Sequence, residues 1–119
     1  MTSERAIVRA ILDYLNGLPV CVARKRWGGG MGVAGEPDID ACVHGRSLQL
    51  EVKRPGQTPT MLQLKRLGEW SAAGAIVGVV VSVDETKALL VKEAMLSHSL
   101  HDSDEKTKKN GKVVFARRY

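Results

Sequence analysis

Residues 37–53 read PDIDACVHGRSLQLEVK, from Pro37 to Lys53. On either side of His44, Gly45 and Arg46, two runs alternate apolar with polar residues, the pattern of two half-buried strands joined by a short turn. Parity decides which side chains share a face. A His44-Gly45 turn pairs Val43 with Arg46, and so Asp38 with Glu51; a Gly45-Arg46 turn makes that pair diagonal neighbours. Either register gathers Asp38, Asp40, Glu51 and Lys53 on one face and Ile39, Ala41, Val43, Leu50 and Val52 on the other. An odd-numbered loop would bury the charges among the aliphatics, so burial selects an even one.

The polar face carries chemistry. Carboxylates on facing strands stand about 5 Å apart at Cβ, and at neutral pH they repel and raise each other's pKa. A divalent cation removes that penalty. Magnesium suits one or two carboxylates completed by waters and a substrate phosphate, where it polarises a phosphoryl oxygen and acidifies bound water. Lys53, one strand repeat from Glu51, is placed to hold or deprotonate a water and to offset negative charge on phosphorus. The competing reading is a solvated salt-bridge ladder, which contributes little to stability and needs no Pro-Asp frame. A second acid-x-lysine triplet, Glu85-Thr86-Lys87, opens a predicted helix, where positions i and i+2 diverge, and is read as solvated.

Outward from the hairpin, SERAIVRAILDYLNG reads as an amphipathic helix capped by Ser3 and stopped at Asn16-Gly17, with Ile7, Val8, Ile11, Leu12 and Leu15 on one face. LPVCVARKRW is a strand that turns basic at its end, and GGGMGVAGE a glycine-rich loop. After RPGQ, the segment TPTMLQLKRLGEWSAAG reads as a helix capped by Thr58, with Pro59 in its first turn and Gly74 at its end. AIVGVVVSV is continuously apolar, as a central strand covered on both faces must be. DETKALLVKEAML is a second short helix with Asp84 as its cap. HDSDEKTKKNGK, residues 101–112, is expected to be a mobile loop, and VVFA a final edge strand. The order α-β-β-β-α-β-α(-β) is that of an α/β fold: one mixed sheet flanked by helices.

With 119 residues the chain suits a single domain, 1–119, and 44% hydrophobic residues suffice for one core. The net charge of +5 favours a polyanion as partner. Cys21 and Cys42 form no CxxC pair and only three histidines are present, which disfavours a structural zinc site; both thiols are expected to be free and buried. The charged start lacks a signal-peptide apolar region, and no apolar run is long enough to span a bilayer, so a cytoplasmic protein, bacterial or phage-encoded, is expected.

These residues resemble the PD-(D/E)xK nuclease superfamily, and more closely its VRR-NUC branch in a stand-alone, minimal form with a restriction-endonuclease-like sheet. The run is GEPDIDACVHGRSLQLEVKRPGQTPTMLQLKRLGEWSAAGAIVGVVVS, and the likeness extends from about residue 4 to 84. The resemblance implies that Asp38, Glu51 and the backbone carbonyl of Val52 bind a metal ion, Mg2+ with Mn2+ as substitute, and that Lys53 is the catalytic lysine. Gln63 matches a glutamine near the family's site. Glu4 stands where relatives carry a further acid that assists metal binding, although a glutamate there also complements the helix dipole. Asp40 lies outside the core motif. Glu36 departs from the family, which often has an apolar residue at that place.

Arg24, Lys25, Arg26 and Trp27 precede the hairpin, where cations neutralise phosphates and an indole stacks on a base; Arg54, Lys65 and Arg66 extend the basic surface. The glycines are not a phosphate-binding loop of the Gly-Lys-Ser/Thr type. Minimal relatives resemble dimers that act on branched DNA such as four-way (Holliday) junctions, so a homodimer is expected, with Met61, Leu62 and Trp70 as interface candidates. The sequence thus predicts a metal-dependent DNA endonuclease that selects structure. A sequence-reading restriction or defence nuclease and a non-catalytic DNA-binding protein of the same fold are the alternatives.

Overall fold

The Ser3 hydroxyl accepts the Ala6 N–H and opens α1 (Glu4–Asn16). In this computed structural model, which describes residues 2–27 and 32–108, α1 is followed by β1 (Cys21–Lys25), β2 (Ile39–Val43), β3 (Arg46–Val52), α2 (Met61–Ala72), β4 (Ile76–Val80) and α3 (Val83–Lys108). The order and the mixed sheet are those expected from the sequence, but among the described residues β4, read as a central strand, stands at the sheet edge, and β3 is flanked on both sides instead. The strands lie in the order β1-β2-β3-β4, with β1, β2 and β3 antiparallel and β4 parallel to β3. A parallel neighbour requires a crossover, which α2 provides.

Val43 pairs with Arg46, so His44 and Gly45 form the turn. Both have positive φ, 48° and 79°, as a two-residue type I′ hairpin demands. Of the two even registers, this is the one that sets Ile39 against Leu50 and Asp40 against Gln49, and hence Asp38 beside Glu51. Ile39, Ala41, Leu48, Leu50 and Val52 are buried against Ile7, Val8, Ile11 and Leu15 of α1. Leu89 of α3 lies over Gly78 on the same side. The opposite face carries the acids and is covered in part by α2, whose Trp70 and Ala73 flank a groove running past Val22, Asp40 and Ser47.

Four local expectations are corrected. Helix α2 begins at Met61 instead of at Pro59, because Thr60 makes a reciprocal capping box with Gln63 that Thr58 has no partner for. Helix α3 begins at Val83, with the Ser82 hydroxyl accepting the Glu85 N–H, so Asp84 lies in its first turn instead of capping it. It continues to Lys108, so residues 101–108 are helical. No glycine or proline interrupts them. Cys42 is exposed, since its parity sends it to the acidic face, whereas Cys21 faces the core half-buried; both are free. The proposed last strand, 113–116, lies outside the described residues.

Candidate metal and phosphodiester site

Strand β3 is buried on both faces in its second half, because β2 and β4 flank it while helices cover it above and below. Glu51 is therefore only 1% exposed. Its Oε2 lies 3.6 Å from the Lys53 ammonium, while its Oε1 has no hydrogen-bond partner. Asp38 is fixed from the neighbouring chain segment, its Oδ2 accepting the Val52 N–H at 2.8 Å. The Glu51 pKa is pushed up to about 8, by burial first, then by the neighbouring Asp38 carboxylate, and by Glu4, against the pull of Lys53. This is a buried acid with a spare oxygen, beside a second acid and 3.6 Å from an ammonium.

The structure thus brings Asp38, Glu51 and Lys53 together, with Val52 between them in the chain presenting its N–H to Asp38. Among the described residues no three side chains of His, Cys, Asp or Glu stand close enough to hold one ion. Glu4 is felt at Glu51 as a charge, and the side-chain donor set is a pair of carboxylates, a set that magnesium completes with carbonyl oxygen, water and phosphate. The unpartnered buried Oε1 fits such an ion: a cation would satisfy that oxygen and compete with the proton that the raised Glu51 pKa retains. Gln63 is half-buried with its Oε1 engaged by the Thr60 N–H in the capping box.

Gln49 escaped the sequence reading. It is fully buried, its Nε2 donating to Asp40 Oδ1 at 2.7 Å and to Ser47 Oγ at 3.0 Å, and its Oε1 is the other unpartnered buried oxygen. Parity held the signal: Gln49 shares Glu51's face and lies directly opposite Asp40.

Of the basic residues expected at DNA, Arg24 and Lys25 are exposed, Arg54 half-exposed, and Trp27 89% exposed. Arg26 is different. Its guanidinium donates to the Pro37 carbonyl at 2.7 Å, lies 3.9 Å from Glu36 and 3.7 Å from Asp40, and stacks 5.5 Å above the Trp70 ring. The Trp70 Nε1 in turn donates to Glu36 Oε1 at 3.3 Å, which places this tryptophan against the loop. Arg66 likewise reaches inward, to the Ala34 carbonyl. No sequence signal announces these contacts, since the partners lie far apart in the chain, Trp70 34 residues from Glu36 and further still from Arg26.

No protein-family model matches the sequence, and no curated protein does. Among solved structures, one described as a VRR_NUC domain is 25% identical, superposes with a TM-score of 0.63, and is matched over 76% of this chain and 96% of its own. Another, described as a VRR_NUC domain protein, is 16% identical with a TM-score of 0.62, over 77% of this chain and 88% of its own.

Proposed function

We infer that this chain, whose fold and 25% identical neighbour support assignment to the VRR-NUC family, is a nuclease, and more narrowly a metal-dependent DNA endonuclease. The observation that carries the reading is Glu51: a carboxyl 1% exposed, one oxygen unpartnered, with Asp38 and Lys53 beside it. An acid buried in this way has a structural cost unless something else completes it.

Asp38 and Glu51, with the Val52 carbonyl, would hold a magnesium or manganese ion. Bound there, such an ion supplies Lewis-acid polarisation of a phosphoryl oxygen and a more acidic water. Asp38 enters the site already oriented by the Val52 N–H, so little reorganisation accompanies binding. Lys53 supplies donors to orient the attacking water and positive charge to offset that building on the phosphoryl oxygens. Exposed Trp27, Arg24 and Lys25 take the phosphate backbone and a base beside the site. Selection of branched DNA by a homodimer is part of the proposal: two copies would present two such sites, and Met61, 83% exposed, suits the contact between them.

The test uses labelled duplex, single-stranded, flap and four-way junction DNA, with magnesium, manganese or chelator, for wild type and Lys53→Ala. Metal-dependent cutting that favours the junction and falls at least about 100-fold in Lys53→Ala is expected. Binding without cleavage under every metal condition rejects the enzymatic reading. Cuts at one short sequence in plain duplex would favour a restriction-type nuclease instead.

A further inference from the structure

Arg26 stands in a basic run that points towards DNA, yet its functional group is turned inward. Its backbone N–H donates to the Asp38 carbonyl at 2.7 Å, and its side chain holds Pro37, Glu36 and Asp40 at 2.7, 3.9 and 3.7 Å. Asp38 is thereby flanked by restraints on Pro37, Glu36 and Asp40, all from the residue that follows β1. Trp70 supports the arrangement from α2, under the guanidinium and bonded to the same Glu36. The Arg26 side chain is 21% exposed, too little to meet a phosphate while keeping these contacts. Only a planar fork with several donors satisfies a carbonyl, two carboxylates and an indole face together; an ammonium is a single point charge.

We propose that Arg26, stacked on Trp70 and joined with it to Glu36, is a positioning residue that fixes where the Asp38 carboxylate stands, and is not a phosphate contact. The proposal deepens the nuclease reading and rests on it wherever metal affinity or cleavage is concerned.

The experiment uses the full chain carrying Arg26→Gln, Arg26→Lys, Trp70→Phe or Lys25→Gln. Amide exchange of Val52 in chelator reports Asp38 directly, because the Asp38 carboxylate accepts that N–H. Both Arg26 variants should speed Val52 exchange at least about tenfold while Leu50, in the same strand, changes less than about twofold. Manganese affinity should fall about tenfold or more, as when groups that orient a metal ligand are lost, and Arg26→Lys should fail to rescue it. Trp70→Phe should shift both readouts in the same direction, and combined with Arg26→Gln should add little. DNA affinity in chelator and its salt slope should hold in Arg26→Gln, whereas Lys25→Gln lowers the slope by about one. A lowered slope in Arg26→Gln with Val52 and manganese unaffected overturns the proposal in favour of a phosphate contact. Equal acceleration of Val52 and Leu50 overturns it in favour of general support of the fold. If wild type neither binds manganese nor cuts DNA, while Val52 alone accelerates in Arg26→Gln, the nuclease reading fails and the positioning role stands.

Discussion

At the scale of single residues, the buried acid governs. The folded-state pKa of Glu51, about 8, exceeds its ordinary 4.5, so the folded protein holds this proton more tightly than the unfolded chain. The associated stability is fully present below about pH 4.5 and is lost as pH rises through about 8. Glu51→Gln, which cannot ionise, should therefore gain on wild type between pH 5 and pH 8, by something on the order of 2–4 kcal/mol in chelator. Calorimetry at the two pH values checks this; an equal difference at both would falsify the account. The cysteines give a second residue-scale prediction. Exposed Cys42 should react with an aromatic disulfide reagent well before Cys21, whose thiol is pushed up by burial first and by Cys42 second. Peptide mapping after brief labelling would reveal the order.

Among the elements, α2 both caps itself and supports the loop that carries Asp38. Thr60→Ala should cost about 1 kcal/mol, and Gln63→Ala a similar amount, with the double variant costing less than the sum because the two close one box. Urea unfolding of the three variants measures it. Gly35 has φ +81°, and a Cβ there would stand 2.6 Å from Leu62 Cγ. Gly35→Ala should destabilise by about 2–4 kcal/mol, and Leu62→Ala in the same chain should recover the steric share while the backbone share remains. What the sequence disclosed about the elements follows the same division. The hairpin was legible because alternation and the His44-Gly45 turn are local, and α1 because its apolar stripe is. The start of α2 was misplaced although Thr60-x-x-Gln63 spelled out its box; Thr58-Pro59 offered a competing start. The inward roles of Arg26, Glu36, Arg66 and Trp70 were not legible, because a charge run reads as solvated until a helix from another part of the chain is laid across it.

For the molecule as a whole, binding at the acids is linked to folding. If Asp38 and Glu51 take up an ion, millimolar magnesium or manganese should raise the melting temperature, by the roughly 10 °C that saturation about a hundredfold above Kd implies, and Glu51→Gln should abolish the rise. The gain should be larger at pH 8 than at pH 5, since at the lower pH the ion competes with a proton on Glu51. A thermal-shift titration at both pH values tests the coupling. Among the described residues no helix is long and apolar enough to cross a membrane, and the net charge of +5 stands ready for a polyanion.

The His44-Gly45 turn keeps the two acids on one short, contiguous piece of chain, residues 38–53. Besides its sheet neighbours and α1, that piece and the loop leading into it are braced by distant side chains: the Arg26 guanidinium just after β1, and an indole and a leucine from α2. Chemistry and rigidity are thus encoded in separate places. A hairpin transplanted into a foreign sheet would import the acids and the lysine yet leave their bracing behind, and drift in the bracing could silence a copy whose signature residues were all intact.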